Sequence, residues 1–324
     1  MRHTRHIYAV GQGGFAIESI GDMTIAFDCG STRTATIEGK INDAHSEFSK
    51  NEIDFLFISH FDRDHVDGLD HLNRTFKVKT VVVPMIPGEF KHVYNAATDN
   101  AYDRINNIFT DSQFFEVSED NVGGFRCRDL WRWNAISMIK KTDWTSLNNE
   151  LKRLGLDDTK FKSIAYVAIN KETIKKAFKN LWGAEGVNSK GLIMLSHKAT
   201  DAIVSDASIE WAGNYLAHDK DLTGCLYVGD ANFKDDDNIN EAVSLLSREI
   251  EDEKLELMQI PHHGSHHNHN SQFLASFISE YYFVCDKNTN RLSKSQDILL
   301  YRAPARNLLV VDEHSDIVGI TEVN

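Results

Sequence analysis

Between positions 60 and 65 the chain reads His-Phe-Asp-Arg-Asp-His. Two imidazoles and two carboxylates fall within six positions, directly after the apolar run at 53–58. Such a mixed nitrogen and oxygen set suits zinc, manganese or iron better than copper(I) or a thiolate-bound structural zinc. Side chains on a strand alternate between its faces, so a strand alone cannot converge His60, Asp62, Asp64 and His65. A loop or helix start just past the strand's end can. A lone His-x-Asp would read as a solvated loop, but four ligand types packed behind a buried strand point to a metal centre.

Two further segments end in the same way. Residues 225–230 form an apolar run closing on Gly229-Asp230. Residues 255–267 form an alternating run closing on Pro261-His262-His263-Gly264-Ser265-His266-His267. Three strands are thus expected to deliver ligands at their C-terminal ends, which in an α/β sheet is one edge, where sites gather. An Asp after a Gly has the open geometry needed to bridge two metals, so Asp230 is the expected bridge.

Taken together, His-x-Asp-x-Asp-His, Gly-Asp and Pro-His-His-Gly-Ser resemble the metallo-β-lactamase fold. The pattern is similar to the branch that includes the hydrolase domain of the competence DNA-uptake channel protein and a bacterial phosphorylcholine esterase. The segments 9–17, 25–31 and 188–194 resemble that branch's opening strand and turn, its Asp-x-Gly turn and its Asn-containing strand. The likeness covers roughly 1–85 and 186–324. It departs in three places: Asp62 stands where the commoner pattern has His, Gly14 stands where the branch has an acid, and 288–295 lacks the branch's histidine. His197 and His218, between the motifs, read as surface or loop histidines.

The resemblance implies an αββα four-layer sandwich formed by a single domain over 1–324, with a largely helical insertion or lid at about 88–185. It implies two divalent metal ions, zinc or manganese. His60 and Asp62 would hold the first. Asp64 and His65 would hold the second with one of His262 and His263, and Asp230 would bridge. His263 is preferred as the ligand and His262 as a catalytic pocket residue beside it. Asp64 is placed to contact both a metal and the attacking water. Asp28 and Ser59 are candidates to orient the ligands. The expected activity is that of a phosphodiesterase or nuclease-type hydrolase acting on a phosphorylated small molecule or short nucleic acid. A lactonase, lactamase or thioesterase is the alternative, and so is a non-catalytic metal-binding sensor.

The elements that must position these residues follow from periodicity. Short strands are expected at 7–10, 15–19, 23–27, 53–58 and 80–84, with a helix starting at 67–72. The C-terminal part repeats the order: strands at 225–228, 255–260, 281–285, 308–312 and 317–321, and helices at 240–253 and 271–279. Alternating strands and helices of this kind predict layered α/β packing. In the middle, 101–109, 144–154 and 173–182 have helical spacing, with Ile174, Ala177, Phe178 and Leu181 on one face, and Thr142 or Asp143 as the cap of the second helix. Three of the five tryptophans, Trp131, Trp133 and Trp144, fall close together in this part of the sequence.

Composition bounds the rest. The 324 residues are 41% hydrophobic, enough for a large core. The formal net charge of −13 opposes extensive contact with a polyanion, because such affinity comes from Lys and Arg neutralising phosphates. It leaves small phosphorylated substrates open, since bound cations change the local balance. Residues 140–180 run against the whole, with ten Lys or Arg against five Asp or Glu. They form either a solvated helical face or a lid that offers cations to an anionic substrate. The four cysteines are widely spaced and read as buried thiols. No secretory signal opens the sequence and no apolar run reaches about 18 residues. A soluble, cytoplasmic protein without membrane contact is expected.

Overall fold

The first strand of the chain carries its charges inward. The computed structural model describes residues 1–48, 50–119, 121, 123–183, 186–216, 219, 223–234, 236–246, 255–265, 267–276, 279–286 and 307–324. Strand β1 runs Arg2–Ile7, earlier than the 7–10 expected from hydrophobicity. The reason is that its inward residues, His3 and Arg5, are polar yet buried. Arg5 Nε donates to Glu18 Oε1 at 2.8 Å, and its Nη1 donates to Glu256 of the facing sheet. Trp133 Nε1 and Tyr227 Oη donate to the same Glu18 carboxylate, each at 2.7 Å. Burial alone would raise the Glu18 carboxyl, but Arg5, His3 and Ser196 overcome it and hold it well below the usual range.

Two sheets form the centre. In the first lie β1, β2 (Gly13–Ile20), β3 (Met23–Ser31), β4 (Glu52–Phe57), β5 (Lys77–Pro84) and β6 (Gln113–Val117) in that spatial order. The strands following 6 in sequence divide. β7 (Gly123–Cys127), β8 (Trp131–Ser137) and β9 (Leu192–Lys198) enter the second sheet, and β10 (Val204–Trp211) and β11 (Asn214–Leu216) return to the first. The second sheet is completed by β12 (Gly224–Tyr227), β13 (Leu255–Gln259), β14 (Ser279–Cys285) and β15 (Leu308–Val311). β16 (Ile317–Val323) closes onto β1. β3 to β6 are parallel neighbours, and so are β12 to β15. Each sheet therefore has a parallel run whose C-terminal ends form an edge.

Strand alternation sorts the apolar side chains into three separate cores. Phe27, Phe57, Val82, Trp131, Trp133, Met194, Tyr227 and Leu257 fill the space between the sheets. Val81, Val83, Leu56 and Ile58 face outward from the first sheet, onto α1 (Thr34–Phe48), α3 (Leu69–Thr75), α4 (Lys91–Ala97), α5 (Ala101–Ile108), α6 (Lys141–Arg153), α7 (Ile164–Ile169) and α8 (Lys171–Trp182). Ile193, Leu195, Leu226 and Met258 face outward from the second sheet, onto α9 (Asp236–Leu246) and α10 (Ser271–Ser276). Helices, sheet, sheet and helices make the four-layer αββα sandwich.

The central segment 88–185 is helical over α4–α5 and α6–α8, but between them it supplies β6, β7 and β8 to the two sheets. Trp131 and Trp133 therefore lie between the sheets, while Trp144 packs in the outer helical layer. Asp143 caps α6 by accepting the Lys140 amide at 2.8 Å. On α8, Ile174, Ala177 and Phe178 are buried, whereas Leu181 is exposed. The helix expected over 240–253 spans 236–246 within the described residues, and 247–254, 288–295 and His218 lie outside them. No described helix is long and apolar enough to cross a membrane.

Arg5→Ala would leave two carboxylates buried without their cation. It is expected to cost about 3–5 kcal/mol of stability, read as a lower urea midpoint at unchanged slope. A loss under about 1 kcal/mol would show that the cluster does not depend on Arg5.

Candidate metal centre

The ligand-bearing loop follows β4 without a spacer. Ser59 and His60 leave the strand, and α2 (Arg63–Val66) begins three residues later. This short helix lies against β3 so closely that a Cβ on Gly30 would sit 2.5 Å from the Asp64 carbonyl carbon and the His65 amide nitrogen. Only glycine permits that approach. On the other sheet, β12 ends at Tyr227, and Gly229 two residues later, with a φ of 53°, turns the chain toward Asp230. Gln259 holds this turn, its Oε1 accepting the amides of Val228 at 2.9 Å and Gly229 at 3.0 Å. The ligand-bearing ends thus belong to two stacked sheets, β4 in one and β12 and β13 in the other, rather than to one sheet edge as the sequence implied.

Asp28, His262 and His263 all adopt left-handed backbone, with φ of 54°, 48° and 51°. Such conformations cost non-glycine residues about 1–3 kcal/mol each, and they gather where function fixes the geometry. Each of these three side chains belongs to the cluster.

Four imidazoles are held through Nδ1. His65 Nδ1 lies 2.7 Å from Asp28 Oδ2. His60 Nδ1 lies 2.9 Å from Ser59 Oγ, which itself donates to Asp28 Oδ2 at 2.7 Å. Asp28 Oδ1 accepts the Ser59 amide at 2.7 Å. His263 Nδ1 lies 2.6 Å from the Cys285 carbonyl, and His262 Nδ1 lies 2.9 Å from Asn268 Oδ1. Every one of these partners is an oxygen able to accept. Each Nδ1 is therefore an N–H, so a ring in its neutral form presents an Nε2 lone pair on the far side.

All four Nε2 atoms converge on Asp230, which is 5% exposed. Oδ2 is 3.6 Å from His60 Nε2 and 3.8 Å from His262 Nε2. Oδ1 is 3.4 Å from His65 Nε2 and 3.8 Å from His263 Nε2. Asp64 Oδ2 joins the second group, 3.1 Å from His263 Nε2. Among the described residues, His60 Nε2, His65 Nε2 and Asp230 Oδ1 are buried without a hydrogen bond. Two sets, His60–His65–Asp230 and Asp64–His65–His263, bring their ligand atoms within 4.8 Å of one another. Ligands about 2.1 Å from one tetrahedral ion lie about 3.4 Å apart, the spacing seen here. Lone pairs facing lone pairs in a buried site fit divalent cations.

The electrostatics express the same deficit. Burial alone would raise the Asp230 carboxyl, but His263, His65 and His60 overcome it and hold it well below the usual range. Burial would lower His65, but Asp28 and Asp230 drive it well up. Burial lowers His60, and the neighbouring His65 adds to the effect. Burial raises Asp62, with Asp64 and Asp230 adding to it.

Of the residues expected from the sequence, His60, Asp64, His65, Asp230 and His263 come together, and His262 lies at their margin, with Nε2 3.8 Å from Asp230 Oδ2. Asp62 stands apart from the sets that share 4.8 Å. It accepts from Asn188 Nδ2 and lines a cavity of about 230 Å³ beside the cluster. Asp28 and Ser59 sit directly behind His60 and His65. His197 is buried on β9 with Nε2 3.3 Å from Asn134 Nδ2, not on the surface. Sequence reasoning missed Asn268, which also donates to the Asp230 carbonyl at 3.3 Å, and Gln12, which donates to Asp64 Oδ2 at 3.3 Å. Gln12 and Asn188 lay inside segments that carried the family resemblance, which was the only signal for them. Asn268 had none.

No family model matches the chain and no curated protein matches it. Among solved structures, the metallo-β-lactamase fold protein YhfI from Bacillus subtilis aligns with a TM-score of 0.49 at 8% identity. It covers 97% of this chain and 98% of its own. Zn(2+)-bound PqqB from Methylobacterium extorquens aligns with a TM-score of 0.49 at 11% identity, covering 97% and 99%. CmlA, a diiron β-hydroxylase from Streptomyces venezuelae, aligns with a TM-score of 0.49 at 11% identity, covering 94% of this chain and 52% of its own. At these identities no activity carries over.

Asp28→Asn is expected to weaken divalent-metal binding about 10–100-fold in competition with a chelating dye, because His65 loses its orienting acceptor. Unchanged affinity would remove Asp28 from that role. Gly30→Ala is expected to displace α2 and lower metal affinity at least as far, with far-UV circular dichroism retained.

Proposed function

We propose that the chain is a metal-dependent hydrolase of phosphoesters, and most specifically a phosphodiesterase. The observation that supports this reading is the convergence of four imidazole Nε2 atoms on the two oxygens of one buried carboxylate. His60, His262 and Asp230 Oδ2 would hold one divalent ion. Asp64, His65, His263 and Asp230 Oδ1 would hold a second. Asp62 borders the first group and would complete it by a side-chain rotation away from Asn188. Bound zinc or manganese would supply Lewis acidity, lowering the pKa of water and offsetting phosphoryl charge.

The protein's own groups do the remaining work. Asp28 and Ser59 fix the tautomers of His60 and His65, so that Nε2 faces the centre. The Cys285 carbonyl and Asn268 do the same for His263 and His262. Gln12 orients Asp64, the carboxylate placed to accept a proton near the reacting phosphorus. The helices of 88–185 act as a lid within a single domain, and their lysines offset the negative charge of a phosphoester. That basic surplus favours an anionic substrate over a lactone or thioester.

Bis(p-nitrophenyl) phosphate, a lactone and a thioester, each assayed with manganese and with zinc, separate the readings. Phosphodiester hydrolysis that is lost in a chelator and restored by metal is expected. Lactone or thioester hydrolysis without phosphodiester hydrolysis would contradict the proposal. Asp64→Ala is expected to lower kcat at least about 100-fold with the fold retained. Metal analysis of protein purified without added metal is expected to find two ions per chain, and at most one in Asp230→Ala. Equal content in the two proteins would refute the bridge.

A further inference from the structure

The cavity at Asp62 has a second wall that the metal centre does not explain. It is enclosed by Ala97 at the end of α4, by Lys175, Phe178 and Lys179 on α8, and by the 186–188 turn. Lys175 and Lys179 are one helical turn apart, so both point the same way. Their situations differ. Lys175 Nζ is committed to Asp99, at 2.7 and 2.9 Å from its two oxygens. Lys179 makes no side-chain hydrogen bond or ion pair among the described residues. Phe178 and Val187 give the cavity an apolar flank, and Phe178 is fixed by edge contact with Trp182 at 5.0 Å between centroids. At about 230 Å³ the space is smaller than a pocket for a whole ligand, so it suits one part of a larger molecule.

We infer that this cavity is an anion subsite. It would receive a phosphate or comparable anionic group of the substrate, separate from the bond being cleaved, with Lys179 as the specificity-determining residue. The inference rests on the phosphoester reading and deepens it: the substrate is a phosphodiester that carries a second, terminal anionic group. One end of the cavity is Asp62, in the ligand-bearing loop, and the other is α8. A molecule spanning them presents one phosphoryl group to the metal centre while the other meets the ammonium. Lys175, already neutralised by Asp99, shapes the wall. Lys179 supplies the uncompensated charge, and a charge-assisted contact of this kind is strong when partly desolvated.

The test compares dithymidine monophosphate with and without a 5′-phosphate. Wild-type protein is expected to prefer the phosphorylated dinucleotide by about tenfold in kcat/KM, the effect of one hydrogen-bonded charge pair. Lys179→Glu is expected to abolish that preference. Lys176→Glu makes the same charge change one residue away on α8, outside the cavity lining, and is expected to keep it. A preference that survives Lys179→Glu, or is lost equally in Lys176→Glu, would overturn the subsite. Binding of the same two dinucleotides, followed by tryptophan fluorescence, separates this inference from the reading beneath it. Selective binding that depends on Lys179, with no hydrolysis of any phosphodiester, would uphold the subsite and refute the phosphodiesterase. Hydrolysis without selectivity would do the reverse.

Discussion

Four imidazoles surround the buried Asp230 carboxylate, and each is anchored on its outer side by an oxygen acceptor. His60, His65, His262 and His263 each point Nδ1 at an oxygen acceptor, so in their neutral forms each would aim a lone pair at Asp230. A buried arrangement of acceptors against acceptors is unfavourable in a low-dielectric site unless positive charge enters it. Much of the surrounding construction serves to keep those atoms there. Gly30 lets α2 press onto β3. Gly229 and Gln259 aim Asp230. Three non-glycine residues accept left-handed backbone. The stacking of two parallel runs brings β4 opposite β12 and β13, so ligands far apart in sequence meet within a few ångströms.

The same strands show how this chain handles buried charge when it is satisfied internally. Glu256 lies near the start of β13, and His262 lies just past its end. At the Glu256 end, Arg5 is built in as the cation, and Glu18 receives Arg5, Trp133, Ser196 and Tyr227. At the His262 end, no arginine or lysine hydrogen-bonds to Asp230 or Asp64 among the described residues. The two acidic clusters thus differ in what faces them: a buried arginine at Glu256, and imidazoles at Asp230. That contrast makes the centre at Asp230 a place for an external cation rather than a tolerated polar core.

The clustered histidines and aspartates and the layered class were legible in the sequence because both have local signatures. His60 to His65 are contiguous, and the strands before Asp230 and His262 are apolar runs. The inter-sheet residues of β1 were not legible, since His3 and Arg5 look like surface residues until Glu18 and Glu256 arrive from distant strands. β7 and β8 hid inside a segment whose helices dominate its periodicity. The backbone that turns His262 and His263 toward Asp230 was also out of reach. It depends on two successive left-handed residues, which no hydrophobic pattern reports. Asp62 reads as a ligand from spacing alone. Its contact with Asn188, 126 positions away, sets its orientation toward the adjoining cavity.

Everything proposed for this chain turns on the two oxygens of residue 230 serving different ions. Anomalous diffraction from crystals grown with manganese, collected on both sides of its absorption edge, reports that directly. The account predicts two peaks, one between Oδ2 and the rings of His60 and His262, the other between Oδ1 and the rings of His65 and His263. A single peak, or peaks that do not touch Asp230, would contradict it.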